Sequence, residues 1–219
     1  MKAYKFLKDN MKSGSGDEDA WEVGEEREIK GKLKLCSRGY HSSPNWYDAL
    51  SYAQGNMACI VQVSKPTEKQ EYKQVSHKCR IVQCVNAEKA LKVWACDCAE
   101  RALKKAKVTD ERSWNAIKVA RLFNDGKATK EELAAAWDDA RDAAWDDAGD
   151  AASAAAWAAA GAAAWDDARA AASAAAWDAA RDAAWAAAGA AAWNAAGDAE
   201  IKWQKRHLNK LIHNQFNPL

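Results

Sequence analysis

A four-residue repeat from Ala134 to Ala199 constrains the fold of this chain more than any other feature. Its third position is Ala in every unit through Ala196, and its fourth position holds Trp, Arg, Gly or Ser. Alanine has the highest helix propensity and the segment contains no proline, so the predicted conformation is helical. Because alanine buries little apolar area, we expect the recurring tryptophans to supply most of the burial here.

A period of four residues does not match the α-helical turn, so the fourth position rotates by about 40° from one unit to the next. In one straight helix the tryptophans would spiral around every face, mostly in water, which is unfavourable. We therefore expect two or three antiparallel helices, or pairing with another copy of the chain; the candidate turns are Gly149, Gly161, Gly189 and Gly197. The repeat is interpreted as a scaffold, and the alternative is a groove in which Trp and Arg stack on a planar ligand.

Residues 1–85 have the pattern of short strands with one helix. WYDALSYAQ (46–54) carries apolar residues at helical spacing. The other apolar segments are rich in Val, Ile, Leu and Tyr and predict strands: KAYKFL near the start, GKLKLC (31–36), ACIVQVS (58–64) and CRIVQCV (79–85). From Asn86 the apolar residues return at helical spacing. Asn86 and Asp110 are the predicted N-caps of the first two helices, and Asn124-Asp125-Gly126 is the predicted end of the second. Thr129 with Glu132 has the pattern of a capping box at the start of the third helix.

The predicted fold class is therefore α+β: a small β-rich N-terminal domain over residues 1–85 precedes an Ala/Trp-rich bundle of antiparallel helices over 86–219. The second domain contains the tetrad repeat (134–199) and a basic C-terminal helix (200–216).

The net charge of +1 is unevenly distributed along the chain. The repeat carries eleven Asp and three Arg, whereas residues 201–219 carry four Lys or Arg and no acid. We expect the basic C-terminal helix to dock on the acidic bundle, and a nucleic-acid partner is not favoured because no single basic face dominates. No signal peptide and no membrane span are predicted, and the six cysteines are interpreted as reduced thiols, so a cytoplasmic location is expected.

The densest cluster of polar and aromatic residues is CSRGYHSSPNWYDALSYAQ (36–54). Gly39 allows a turn, and the helix that follows could hold an anion at its N-terminus, with the first strand nearby. The candidate ligand-binding residues, for a phosphate-bearing or nucleotide-like molecule, are Tyr4, Lys5, Tyr40, His41, Ser42 and Trp46. The alternative is that His41 and the serines only cap the helix and fix the loop. Cys96 and Cys98 lie about 200° apart on a helix, and no metal site or cofactor is expected.

Several N-terminal motifs occur in a recognisable order: KAYKFL, W-E-V-G (21–24), L-C-S-R-G-Y-H-S-S (35–43), Y-D-A-L-S-Y (47–52), IVQV and CRIVQCV. Together they resemble a small domain of unknown function that is common in phage and prophage proteins. The same order resembles the ADP-ribosyltransferase fold. That resemblance implies that His41 or Ser42 would contact a nicotinamide dinucleotide and that Glu71 would be the acidic catalytic residue, while Lys5 stands where that fold carries an Arg.

The helical half carries a second set of motifs: WACDCAERAL (94–103), D-E-R-S-W-N-A-I-K-V-A-R (110–121) and the Ala-rich continuation. These resemble a family of Ala-rich helical immunity proteins. The resemblance implies that the protein neutralises a toxin or effector by binding it, in the cytoplasm of a bacterial host.

The leading functional hypothesis is a non-enzymatic phage or prophage accessory protein, of immunity or anti-defence type, that binds and neutralises a protein partner. Three alternatives stay open at this point: a protein that sequesters a nucleotide signal, an ADP-ribosyltransferase-like enzyme, and a self-assembling structural protein.

Overall fold

The computed structural model of the protein describes residues 1–14, 18–146 and 190–217. The chain divides into two compact units, one formed by Met1–Glu88 with Leu208–Leu219 and the other by Lys89–His207. An antiparallel β region is followed by helices, which confirms the predicted α+β class. No helix in the described ranges combines the length and the apolar character that crossing a membrane requires.

The strands of the first unit form two antiparallel sheets. The four-stranded sheet has the order β1-β4-β7-β2, with β1 at Lys2–Leu7, β2 at Glu26–Glu28, β4 at Met57–Val63 and β7 at Lys78–Asn86. The three-stranded sheet has the order β3-β6-β5, with β3 at Tyr40–Ser42, β5 at Glu68–Lys69 and β6 at Gln74–Ser76. The strands predicted near the start, at 58–64 and at 79–85 are confirmed.

The strand predicted at 31–36 is wrong, because this segment forms a turn closed by an isolated bridge between Lys34 and Arg38. The Arg38 guanidinium donates hydrogen bonds to the carbonyl oxygens of Lys30 and Lys32, at 2.7 and 2.8 Å. Cys36 has a φ of 65°, in the left-handed region that a strand cannot contain. Alternating apolar residues therefore predicted a strand in a segment where side-chain hydrogen bonds to the backbone hold a turn.

The first unit buries apolar side chains on both faces of β1. One face packs Ala3 and Leu7 into a cluster with Trp21 and with residues of β4 and β7. On the other face, Phe6 contacts Trp46, the first residue of helix α1 (Trp46–Leu50). The Trp46 ring stacks on that of Phe216, with 5.9 Å between ring centroids. The last turns of the C-terminal helix therefore pack in the first unit. The docking of this helix on the acidic bundle stays a prediction, because most of the acidic repeat lies outside the described residues.

A disulfide links Cys59 on β4 to Cys84 on β7. The two residues are direct partners in the antiparallel register, and their Cα atoms lie 4.2 Å apart. Opposed residues of antiparallel strands come this close, so the pairing of the strands brings the two sulfur atoms together. The expectation that all six cysteines are reduced thiols is therefore wrong for this pair, and the free thiols are Cys36, Cys79, Cys96 and Cys98.

The helices of the second unit begin and end close to the predicted signals. Their bounds are Glu88–Ala106 for α2, Glu111–Asn124 for α3, Lys130–Asp146 for α4 and Ala190–Phe216 for α5, which continues into the first unit. The Asp110 side chain caps α3 by accepting from the N–H of Arg112. Thr129 and Glu132 form the predicted capping box, with reciprocal side-chain to backbone hydrogen bonds of 3.1 and 2.7 Å.

Helix α4 contains the first units of the repeat. Three of the four glycines proposed as turns, Gly149, Gly161 and Gly189, lie outside the described residues. Gly197 lies inside α5, so the turn predicted there is wrong. A glycine costs a helix only about 1 kcal/mol relative to alanine, so a single glycine does not by itself end a helix that continues into buried residues such as Leu208 and Ile212.

Charged contacts connect the helices of the second unit. Arg121 on α3 donates to Asp97 and Glu100 on α2, each at 2.7 Å, and His207 on α5 lies 2.6 Å from the other oxygen of Asp97. Glu200 on α5 is buried and accepts hydrogen bonds from Arg101 and Lys105 of α2. In a unit built largely from alanine, such pairs supply contacts that small side chains cannot make.

The disulfide provides a test of the β4–β7 register. Replacing both cysteines, Cys59→Ala with Cys84→Ala, removes a cross-link between residues 25 positions apart. We expect the free energy of unfolding to fall by about 3 kcal/mol, because the unfolded chain regains the entropy of that loop. Chemical denaturation measures the change, and Cys36→Ser is the control. Equal stability of the double variant and the native protein would contradict this register.

Candidate functional site

The six predicted ligand-binding residues lie on β1, β3 and helix α1, and their contacts divide them into separate groups. The side chains of neighbouring residues in a strand point to opposite faces, so those of Tyr4 and Lys5 lie on different faces of β1. The Tyr4 ring lies 4.5 Å from that of Trp46, whereas the Lys5 ammonium lies 5.4 Å from the ring of Trp21. The structure thus places Tyr4 in an aromatic cluster around Trp46 and Lys5 in a second cluster around Trp21.

Trp46 belongs to the core. It is fully buried, and its ring contacts Tyr4, Phe6, His213 and Phe216. Its indole N–H has no hydrogen-bond partner among the described residues. With these rings around it, Trp46 is not available to a ligand from solvent.

The N-terminus of α1 is also occupied. The Asn45 side chain accepts a hydrogen bond from the N–H of Asp48 and donates one to the Asp48 carboxylate. A carboxylate in the first turn complements the helix dipole. The helix is therefore capped by Asn45, and not by His41 or the serines as the alternative interpretation expected.

Trp21 is the centre of the second cluster, and sequence reasoning missed it. Its ring makes an edge contact with Tyr40 at 5.5 Å and lies 4.1 Å from the Arg27 guanidinium. Its indole N–H donates to Glu18 at 3.3 Å, and the Lys5 ammonium lies 3.5 Å from the Ser13 hydroxyl. Arg27 is held by Glu25 and by two carbonyl oxygens, so its role is to fix the loop before β2.

Lys5 is the ionisable group most affected by this environment. Burial lowers the pKa of the Lys5 ammonium, against the opposing attraction of Cys79 and Glu18. The Lys5 ammonium lies beside the Ser13 hydroxyl, which donates to the Glu18 carboxylate, so a carboxylate of the protein already opposes part of the effect of burial. The sequestration of a nucleotide-like molecule stays a prediction.

His41 and Ser42 on β3 form hydrogen bonds with other residues of the protein. Nε2 of His41 accepts from the backbone N–H of Cys36 at 2.8 Å, and the Ser42 hydroxyl accepts from Gln74 at 3.2 Å. Burial, together with the charge of Lys5, lowers the pKa of His41. Gly39 has a φ of 123°, as its predicted turn requires, and a Cβ there would lie 2.4 Å from Val75.

Glu71 is exposed in the turn between β5 and β6. It makes no hydrogen bond or ion pair within the described part of the chain, and none of the candidate ligand-binding residues contacts it. Within the same part of the chain, no cluster of three or more His, Cys, Asp or Glu side chains is arranged to hold a metal ion.

A surface that the sequence did not predict lies beside His41. The Lys73 ammonium is 2.7 Å from Sγ of the exposed Cys36 and 5.0 Å from the ring of Tyr52. The carboxylate of Glu68 on β5 accepts from the N–H of Leu35, which holds the 34–38 turn against the β5–β6 hairpin. We call Lys34, Cys36, Tyr52, Tyr72 and Lys73 the tyrosine–lysine surface.

Residues 1–93 match a domain of unknown function, DUF7666. The match includes the Trp21 cluster, Trp46 and the tyrosine–lysine surface, but not His213 and Phe216, and it covers less than half of the 219 residues. No curated protein and no solved structure matches the chain. The resemblance of the N-terminal part to a domain of unknown function is confirmed at this level. The phage, ADP-ribosyltransferase and immunity-protein resemblances find no match and stay predictions.

The different settings of two aromatic residues can be tested by substitution. Trp46→Ala removes a fully buried ring, and we expect a loss of about 3–5 kcal/mol in the free energy of unfolding. Tyr52→Ala removes a ring that is 48% exposed, and we expect a change below about 0.5 kcal/mol. Denaturant titration of both variants measures the difference, and similar losses would overturn the assignment of Trp46 to the core.

The burial of His41, which lowers its pKa, predicts a pH dependence of stability. The folded protein lowers the pKa of His41 below 6.5, so the unfolded state binds the proton more readily. The contribution of His41 to the free energy of unfolding is complete above about pH 6.5. It is lost as the pH falls through the pKa that His41 has in the folded protein.

Denaturation near pH 5 and pH 7, with an NMR titration of the imidazole, measures this dependence. His41→Gln, which keeps an acceptor near Nε2, should show a smaller loss at low pH. Ser37→Ala, on the same loop, should behave like the native protein. A titration midpoint above 6.5 would contradict the buried, neutral imidazole.

Proposed function

We propose that this protein is non-enzymatic and binds and neutralises a protein partner through the tyrosine–lysine surface, as a phage or prophage accessory protein of immunity or anti-defence type. The observation that carries the proposal is the exposed Tyr52 ring with the Lys73 ammonium 5.0 Å from its centre. Tyrosine rings that combine an apolar face with nearby cations are frequent energetic centres of protein interfaces.

The charge around Tyr52 and Tyr72 indicates the chemistry of the partner. The loop before β3 carries Lys30, Lys32, Lys34 and Arg38 without an acidic residue. The β5–β6 hairpin beside this loop carries two further cations, Lys69 and Lys73. It also carries two acidic residues, Glu68 and Glu71. A surface with this excess of cations favours an acidic protein surface, which electrostatic attraction would steer into contact.

The contacts of the predicted site residues support binding rather than catalysis. The acceptor nitrogen of His41 and the hydroxyl of Ser42 are engaged inside the protein, and Trp46 is buried. A catalytic constellation needs a nucleophile, a base and a stabilising donor around one reacting atom. Tyr52 and Tyr72, in contrast, are exposed by 48% and 47%.

Site-specific photo-crosslinking in a bacterial host tests the proposal. A photoreactive amino acid replaces Tyr52 or Tyr72, and matched control variants carry it at Val23 or Val82, which are exposed apolar positions elsewhere in the same unit. We expect one acidic protein to be crosslinked from the tyrosine positions and not from the valine positions.

The partner is then purified and its affinity measured by calorimetry. Tyr52→Ala and Lys34→Glu should each weaken binding by about tenfold or more, with Lys34→Glu also reducing the salt dependence, while Val82→Ala leaves the affinity unchanged. Crosslinking at none of the four positions, or from the valine positions alone, would contradict the proposal. So would an affinity that Tyr52→Ala does not change.

A further inference from the structure

Cys36 differs from every other cysteine of the chain. All six cysteines lie among the described residues; two form the disulfide, three are buried, and Cys36 alone is an exposed free thiol. Burial raises the pKa of Cys79 and of Cys96 to about 11, and that of Cys98 well above its usual value. These buried thiols are therefore poor nucleophiles near neutral pH, because the thiolate is the reactive form.

Lys73 supplies the positive charge that a reactive thiolate needs. Its ammonium lies 2.7 Å from Sγ of Cys36, and this hydrogen bond is the main reason that the pKa of Lys73 is raised. The lysine is thus held in its charged form against the sulfur. An ammonium in direct contact attracts a thiolate more strongly than a neutral thiol.

The surroundings keep this pair in place. The Lys73 ammonium also lies over the Tyr52 ring, and the N–H of Cys36 donates to the neutral Nε2 of His41. The carboxylate of Glu68 accepts from the adjacent N–H of Leu35. The thiol and the amine come from segments 37 residues apart, so the fold, rather than local sequence, makes the contact.

From this geometry we propose that Cys36 and Lys73 form a modification site whose substrate is a hydroperoxide. The Cys36 thiolate attacks the distal oxygen of the peroxide; an S–O bond forms and the O–O bond breaks. The sulfur loses two electrons and becomes a sulfenic acid, and the peroxide gains them. The leaving alkoxide, or hydroxide from hydrogen peroxide, takes a proton from the Lys73 ammonium, which regains it from solvent. This reaction does not depend on the proposed partner.

The test uses the purified full chain, dilute hydrogen peroxide, and dimedone to trap sulfenic acid, followed by peptide mass spectrometry. We expect dimedone on Cys36 and none on Cys79, Cys96 or Cys98. Lys73→Met should slow the labelling by about tenfold or more, because it removes the charge that stabilises the thiolate. Lys73→Arg should retain most of the rate.

Lys65→Met is the control, since it removes an exposed lysine of the same unit that lies outside the tyrosine–lysine surface and whose ammonium forms no ion pair or hydrogen bond with a described residue. It should react at the native rate. Thermal unfolding of each variant checks that the fold is retained. Labelling of Lys73→Met at the native rate, or equal labelling of the buried thiols, would overturn the proposal.

Discussion

The antiparallel pairing of β4 with β7 is the constraint on which the first unit depends. Its register runs from Met57 opposite Asn86 to Val63 opposite Cys79, with one irregularity after Ile60. The remaining strands of the larger sheet, β1 and β2, attach to its two outer edges. Because a shift by one residue would move every side chain to the other face, this register decides which residues reach the Trp21 core. It also decides that Cys59 meets Cys84.

The side chains of β1 alternate between the two faces of the strand, which explains why the candidate residues Tyr4 and Lys5 lie in different clusters. One face of the strand meets Trp21 and its charged neighbours, and the other meets Trp46 and the end of the C-terminal helix. The Trp46 side is closed by aromatic rings. The exposed polar and aromatic groups of the first unit meet instead beside β3, where Lys73 of the β5–β6 hairpin contacts both Cys36 of the turn and the Tyr52 ring after α1.

The helices of the second unit are rich in small residues, so few large side chains are available to pack between them. Its described part uses charged groups between helices: Arg121 joins α3 to α2, and the buried Glu200 joins α5 to α2. A buried carboxylate with two cationic partners adds little net stability but permits few other arrangements. Such pairs fix how helices with few large side chains pack against one another.

The sequence alone determined the α+β class, three of the main strands and the caps at Asp110 and Thr129, because these depend on propensities and hydrogen bonds within a few residues. Only the tertiary structure decided the turn at 31–36, the continuation of α5 through Gly197, the Cys59–Cys84 disulfide and the contact between Cys36 and Lys73. The disulfide and the contact between Cys36 and Lys73 join segments that are distant in the sequence. The turn and the continuation of α5 depart from a local preference, since hydrogen bonds from Arg38 hold the turn and Gly197 does not end the helix. The spacing of hydrophobic residues indicates which face of a strand is buried. It does not indicate which strand lies beside it, or which residues of the two strands lie opposite one another.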